Sequence, residues 1–334
     1  MRLSELGEFG LIHRIQNFIG EPSEDVVLGL GDDAAVLRIR PGHQAVLTTD
    51  TLVEGVHFDR AYTPVESLGW KSLAINISDV AAMGGIPRFA VAALALPERW
   101  SVEDVEEFYR GMERCGSRYG CAIVGGDTVH IEETACITVT VMGEIETGRA
   151  VQRGGAGTGD LVCVTGKLGG SRAGLEVLSS QSDREEFRDS VNRFLEPEPR
   201  VREARAILEA LSPTSMIDIS DGLASEMHHL CRQSGVGCLI EEEDLPVSGE
   251  VFRWTEEKGG SPVDYALGSG EEYELLFTVG KKACEQTLRQ EFESLGTEVT
   301  VIGKILQKAA GIKIRKDGKT RPLNVKGWDH FVSC

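Results

Sequence analysis

Aspartates recur beside glycine and small hydroxyl residues in four separate segments of this chain: Gly31-Asp32-Asp33, Thr48-Thr49-Asp50, Gly125-Gly126-Asp127 and Asp218-Ile219-Ser220-Asp221. A fifth, Asp79, follows Asn76 by three residues, a spacing that puts both on one face of a helix. Any one of these aspartates can serve as a helix cap or a turn residue. Gathered at one sheet edge they would repel one another, and cations would have to neutralise them. Magnesium suits such a set, because it takes oxygen ligands and bridges one or two carboxylates to substrate phosphates. No histidine or cysteine stands at zinc-like spacing among these segments, which argues against a softer metal. The chain has neither a G-x-x-x-x-G-K-[ST] loop nor a protein-kinase glycine loop, so a bound nucleotide would be held largely through metals. Arg149 and Arg153 are the basic residues best placed in sequence to meet phosphate oxygens, and either can equally be a surface arginine.

The elements that must position these residues follow from hydrophobic periodicity. Residues 44–50 read as a strand ending in the Thr48-Thr49-Asp50 segment, and 66–83 as a helix with Leu73, Ile77 and Val80 on one face and Asn76 and Asp79 on another. An apolar strand is expected over 88–96, an amphipathic helix over 102–119, a short strand over 121–124 running into Gly125-Gly126-Asp127-Thr128, and an alternating strand over 135–144. The glycine-rich stretch 154–159 marks a domain border. Beyond it come strands at 161–164, 216–219, 237–241, 273–279 and 299–303, with helices opening near Ser171, over 200–211, through Leu223, Met227 and Leu230, and over 281–295. Aspartates would thus stand just after buried strands, where ligands commonly bind. The mixture lacks strict alternation, which favours two α+β or α/β domains over one doubly wound sheet.

Composition narrows the partners. The 334 residues suffice for two domains, and an apolar content of 41% can fill their cores. With 35 Lys plus Arg against 53 Asp plus Glu the formal charge is −18, which opposes a polyphosphate backbone, so nucleic acid is not an expected partner. The longest apolar run, 89–96, is far short of the roughly 20 residues that a membrane-spanning helix needs. The early acids of the N-terminus do not suit a secretory signal, and a cytoplasmic protein is expected. Eight cysteines without a C-x-x-C pair, most in apolar runs, read as reduced core thiols.

Taken in order, the motifs resemble the thiamine-monophosphate kinase family. The resemblance rests on Gly31 to Ala35, on Thr48-Thr49-Asp50-Thr51-Leu52-Val53-Glu54-Gly55-Val56-His57-Phe58, and on Asn76-Ile77-Ser78-Asp79 with Val80 to Gly84. It continues through Gly125 to Thr128, Gly148 to Gly155, Ile217 to Leu223, Gly268 to Leu275 and Gly327-Trp328-Asp329-His330-Phe331, nearly end to end. It implies the two-domain fold, α/β (α+β), of aminoimidazole ribonucleotide synthetase, with residues 1–148 as an N-terminal domain for ATP, magnesium and dimerisation. Residues 149–334 would complete the phosphate and thiamine site. It also implies a homodimer in which N-terminal domains share a β-barrel. By motif match the magnesium ligands would be Asp33, Thr48, Thr49, Asp50, Asp79, Asp127, Asp218 and Asp221, of which Asp50, Asp127, Asp218 and Asp221 would be catalytic. ATP would meet Tyr109, Gly126, Asp127, Arg153 and Ser220, and the thiamine phosphate His57, Glu271 and Trp328. One departure is Gly268-Ser269-Gly270-Glu271-Glu272, where family members often have Gly-Gly-Glu-Asp.

The implied reaction is direct in-line transfer of the ATP γ-phosphoryl group to thiamine monophosphate, giving thiamine diphosphate and ADP as the last step of thiamine diphosphate biosynthesis. An anionic acceptor hardly needs a base, so charge neutralisation and positioning would supply the acceleration. Glu271 can pair with a cationic thiazolium, and Trp328 offers a face for stacking or else a core anchor. A non-catalytic ATP or thiamine-phosphate sensor would keep the same carboxylates. A superfamily relative acting on another substrate is the other alternative; one such relative uses a C-terminal cysteine, and this chain ends in Cys334.

Overall fold

The computed structural model describes residues 5, 11, 14–15, 24–29, 34–180, 182–281 and 295–324. Asp33, Trp328 and Cys334, and nearly all of the helix expected over 281–295, lie outside the described residues. The chain divides into two compact units, Met1–Val80 with Gly85–Arg149, and Ala81–Gly84 with Ala150–Cys334.

The first unit begins with a small ribbon of β1 (Val26–Leu28) and β2 (Val36–Leu37). Its main sheet contains β3 (His43–Val53), β4 (Ile86–Leu96), β5 (Ala122–His130) and β6 (Cys136–Glu146) in the order β3-β6-β4-β5. The pairs β3/β6 and β6/β4 are antiparallel and β4/β5 is parallel, so a helical crossover joins the last two. Alternation sets the faces: Ile137, Val139 and Val141 of β6 are buried, while Thr138 and Thr140 point the other way. Helix α1 (Val65–Ala82) buries Leu68, Leu73, Ile77 and Val80, and Val80 packs against the backbone at Gly143 of β6. Helix α2 (Val102–Tyr119) is the crossover. It starts at a reciprocal cap, with Ser101 Oγ accepting from the Asp104 N–H and Asp104 Oδ2 accepting from the Ser101 N–H at 2.8 Å. It stops at Gly120, whose φ of 72° is left-handed.

Two strands are longer than their hydrophobic runs suggest. Strand β3 continues through Thr48, Thr49 and Asp50 because its whole length pairs with β6, and β5 continues through Gly125-Gly126-Asp127-Thr128 because β4 pairs with it as far as His130. Asp50 and Asp127 are therefore inside strands, not just after them.

The second unit is built on a seven-stranded sheet, ordered β13-β12-β9-β11-β7-β10-β8. Its strands are β7 (Leu161–Thr165), β8 (Ser215–Asp218), β9 (Val236–Glu241), β10 (Leu275–Val279), β11 (Val299–Gln307), β12 (Ile312–Lys316) and β13 (Lys319–Pro322). Only β9/β12 is parallel, which excludes a doubly wound sheet. Helices α3 (Gly170–Ser179), α4 (Arg188–Leu195), α5 (Val201–Ala206, continued by a π turn to Leu211), α6 (Leu223–Ser234), α7 (Gly249–Lys258) and α8 (Pro262–Gly268) complete it. One core runs from Val162 and Val164 through Ile217, Leu223, Met227 and Leu230 to Ile302 and Ile305. Among the described residues the six cysteines are free thiols, and no helix is long and apolar enough to cross a membrane.

The crossing of α1 and α2 depends on two glycines. A Cβ built on Gly69 would stand 1.9 Å from the Phe108 carbonyl oxygen, and one on Gly111 would stand 1.8 Å from that of Glu66. Backbone cannot give way like a side-chain tip. Alanine is the better helix former by up to about 1 kcal/mol, yet Gly111→Ala is expected to destabilise the protein by about 3 kcal/mol by prising the helices apart. Denaturant unfolding of the variant measures this, and an unchanged or raised midpoint would contradict the close crossing.

Candidate functional site

In the first unit the chemistry lies on α1 and the sheet face beneath it. Alternation places Thr48 and Asp50 on the same face of β3 as buried Leu52. Thr48 Oγ1 donates to Asp79 Oδ2 at 2.6 Å, joining strand and helix. One turn earlier on α1, Asn76 is fully buried; its Nδ2 donates to the Ser72 carbonyl at 3.0 Å, and among the described residues its Oδ1 accepts no hydrogen bond. Thr48 and Asp79 thus meet through oxygen atoms, the donor type a hard divalent cation selects, with Asp50 on the same strand face as Thr48.

Thr49 does not join them. Its hydroxyl is on the opposite face, 2.9 Å from the Thr140 hydroxyl, and Thr51 meets Thr138 there at 2.8 Å. Asp127 also belongs to that second face: it pairs with Ala93, Ala93 with Thr138 and Thr138 with Thr51. Its exposed carboxylate accepts from the Thr128 N–H at 2.9 Å. Gly126 is required where it stands, since a Cβ would be 2.2 Å from the Ala92 carbonyl oxygen. Within the first unit the strand period thus puts Asp50 and Asp127 on opposite faces of the sheet. Among the described residues no three His, Cys, Asp or Glu side chains gather as a metal site.

His57 closes the turn after β3. Its Nδ1 accepts from the Val53 N–H at 3.0 Å. A backbone N–H can only donate, so Nδ1 is the acceptor nitrogen of this ring. Tyr109 is buried on α2, its ring edge-on to Phe108, and burial pushes its pKa up. It is a core residue of this unit, and its ring is not presented to solvent.

In the second unit Asp218 is the last residue of β8 and is buried, while Ser220 and Asp221 follow half-buried ahead of Gly222, the N-cap of α6. The Gly268–Glu274 loop lies along this segment: the Glu271 N–H donates to the Ser220 carbonyl at 2.7 Å and the Tyr273 N–H to that of Ile219 at 2.9 Å. Asp218, Ser220, Asp221 and Glu271 are thereby brought together. Glu271 and Tyr273 both have left-handed backbones, with φ of 58° and 52°, a conformation that costs of order 1–2 kcal/mol for a residue with a Cβ.

Two buried acids near these residues escape a motif-based search. Glu226, in the first turn of α6, accepts from the Asp221 N–H at 3.1 Å through Oε1. Burial pushes its carboxyl up to about 7; the Asp221 N–H and Arg153 oppose that shift, and the Asp221 carboxylate adds to it. Exposed Arg153 is therefore within charge range of Glu226, in the same neighbourhood as Ser220 and Asp221. Glu272 is the second, with its carboxyl also pushed up to about 7 by burial. A glutamate three residues into a helix or next to a second glutamate looks like solvated surface, so only the fold distinguishes these two.

The two units correspond to the two halves of a recognised fold. Residues 31–145 match the N-terminal domain of the AIR synthase related proteins and residues 157–314 match their C-terminal domain. The chain belongs to this family. Within it, the chain is 41% identical to the thiamine-monophosphate kinase of Aquifex aeolicus (strain VF5), over 99% of this chain and 100% of that protein. It is 38% identical to that of Bacillus subtilis (strain 168), over 98% of this chain and 100% of that protein. A solved structure of AaThiL complexed with AMPPCP and TMP superposes with a TM-score of 0.77 at 39% identity, covering 99% of each chain. These likenesses place the chain in the thiamine-monophosphate kinase family.

Glu226 supplies a test with a definite sign. Its folded pKa of about 7 lies above the ordinary 4.5, so between those values the folded protein keeps a proton that the unfolded chain has released. Stability from this group falls as pH rises through that window and is flat above it. Relative to Glu226→Gln, metal-free wild-type protein is expected to lose up to about 3 kcal/mol between pH 4.5 and 8. Urea unfolding of both proteins in chelator across that range checks it; a constant difference would mean that Glu226 is ionised throughout.

Proposed function

We propose that this protein transfers the γ-phosphoryl group of ATP to the terminal phosphate oxygen of thiamine monophosphate, producing thiamine diphosphate and ADP. The observation that carries the proposal is the end-to-end likeness to thiamine-monophosphate kinases at 38% and 41% identity. The AMPPCP and TMP in the AaThiL complex support both substrates, and a cytoplasmic setting suits their chemistry.

The residues divide by task. Asp33, Thr48, Asp50, Asp79, Asp127, Asp218 and Asp221 are the proposed magnesium-holding groups, all through oxygen. The Thr49 side chain is left out of the set because it faces away from Thr48 and Asp79. When bound, magnesium neutralises the β- and γ-phosphates and aligns them for transfer. Gly126, by having no side chain, lets a phosphate or ribose approach the β5 backbone; Arg153 and Ser220 bind the nucleotide from the second unit's side chains. Buried Tyr109 contributes packing beneath that strand. His57 meets the acceptor phosphate, Glu271 pairs with the thiazolium cation, and Trp328 is assigned to the thiamine by its place in the family motif. No residue acts as a base, since the acceptor oxygen is already anionic.

Purified protein with ATP, magnesium and thiamine monophosphate is expected to form thiamine diphosphate and ADP in equal amounts, read by chromatography. Free thiamine, an alcohol that would need a base, is expected to react at least about a hundredfold more slowly. Comparable phosphorylation of thiamine would mean that the acceptor is wrong, and no turnover with either would favour a sensor.

The working form is proposed to be a homodimer. The outer face of the first unit's sheet exposes Leu47 to 71% and Val129 to 51%, beside Val91 and the threonine pairs. An apolar sheet face of this kind calls for a covering partner. Light scattering should give twice the chain mass at micromolar concentration, and Leu47→Glu should shift the population toward monomer; a fully active wild-type monomer would exclude the proposal.

A further inference from the structure

Helix α3 begins without a side-chain cap of its own, because its N-cap is Gly169 and no local side chain accepts from its first turn. Those N–H groups are buried and need acceptors. They find them about a hundred residues downstream in the Gly268–Glu274 loop. The Ser171 N–H donates to Glu272 Oε1 at 3.1 Å, the Arg172 N–H donates to Ser269 Oγ at 3.0 Å, and Ser269 Oγ donates in turn to Glu272 Oε1 at 2.5 Å. The loop thus performs, from a distance, the work that a capping box performs locally.

We propose that Glu272 is a positioning residue for Glu271, acting by fastening the Gly268–Glu274 loop to the first turn of α3. Along the loop, the side chains of Glu272 and Glu274 are buried, whereas the residues on either side of Glu272 adopt the two left-handed backbones and hydrogen-bond to Ser220 and Ile219. A strained backbone persists only where its surroundings over-determine it. At the far end of the loop Glu274 is fixed by Arg200 and Arg193; at the near end the anchor is Glu272. Its Oε1 takes both donors. Its Oε2 accepts no hydrogen bond among the described residues and has only Arg193 Nη1 at 3.9 Å, so the carboxylate is placed for its capping contacts more than for an ion pair. Release of Oε1 frees the Glu271 backbone to relax from φ 58° toward ordinary values, turning its carboxylate away from the bound cation.

The inference rests on the proposed role of Glu271 toward thiamine monophosphate, and the test separates the two. KM for thiamine monophosphate, KM for ATP, kcat and thermal midpoint are measured for wild type, Glu271→Gln, Glu272→Ala, Glu272→Gln and Ser269→Ala. Glu272→Ala is expected to raise KM for thiamine monophosphate on the order of tenfold with KM for ATP little changed. Glu272→Gln keeps an oxygen for Ser171 and Ser269 and should restore KM to within about threefold of wild type. A purely structural role would lower the thermal midpoint and move both KM values together, and that result, or an unchanged KM in Glu272→Ala, would overturn the inference. Should Glu272→Ala yield no folded protein, Ser269→Ala, which removes one strap of the same anchor, must show the same selective rise. If wild type turns over but Glu271→Gln is silent, the role of Glu271 fails; if Glu271→Gln is impaired and the Glu272 and Ser269 variants are silent, only the present inference fails.

Discussion

The enclosed carboxylate of Glu274 is the constraint on which the second unit is arranged. Burial alone pushes its pKa up, but Arg200, Arg193 and the Thr165 hydroxyl more than offset that and hold it below the usual carboxylate range. Arg200 grips it with two donors, Nη2 to Oε1 at 2.6 Å and Nε to Oε2 at 2.7 Å, and Thr165 Oγ1 donates to Oε2 at 2.7 Å. Such a paired charge gives little net stability compared with an apolar replacement, whereas loss of one partner is expensive. Its consequence is therefore geometric. Arg193 comes from α4, Arg200 from just before α5, Thr165 from the end of β7, and Glu274 itself immediately precedes β10. A single buried charge ties together the last turn of α4, the start of α5, the end of β7 and the start of β10, and it fixes the end of the loop that carries Glu271.

The first unit achieves its precision by another route. There the positions are set by strand period and by close helix packing, with Gly69 and Gly111 letting α1 and α2 touch backbone to backbone. That contact seats α1 so that Asp79 reaches Thr48 at 2.6 Å. Glu144, buried in β6, accepts from the backbone N–H and the Nε of Arg40, tying the chain before β3 to the sheet. Both units thus use a buried, arginine-held glutamate, and the first adds the close packing of α1 on α2.

Much of this was legible in the residues. The regular alternation of Ile137, Val139 and Val141 gave β6 and its faces, and the Leu73, Ile77 and Val80 stripe gave α1. Asp79 was correctly expected on a helix. What stayed hidden depended on pairing between distant segments. Gly125-Gly126-Asp127-Thr128 has the composition of a loop, and only the neighbouring β4 makes it a strand. Thr48 and Thr49 are adjacent in every motif, yet a strand sends them to opposite faces. Glu226 and Glu272 look like surface acids because nothing in the local sequence reveals that the chain will enclose them. The start of α3 has the same cause, since its cap comes from Ser269 and Glu272 and not from its own flank.

The dispersal of the acids over separate faces has a chemical consequence. Within the first unit, Thr48, Asp50 and Asp79 on one face of the sheet and Asp127 on the other leave each face with few side-chain oxygens. Magnesium ordinarily keeps waters and completes its octahedron with phosphate oxygens. On the proposed magnesium role, such partial sites would bind the ion weakly alone and firmly once a polyphosphate supplies the missing ligands. In a chain of formal charge −18 that division has a use. In the proposed reaction the charge of the nucleotide and that of the aspartates would be balanced by the same cations. Phosphoryl transfer between two anions requires just that balance, and a preassembled, fully coordinated metal cage would leave no coordination position for the phosphates on which the proposed chemistry depends.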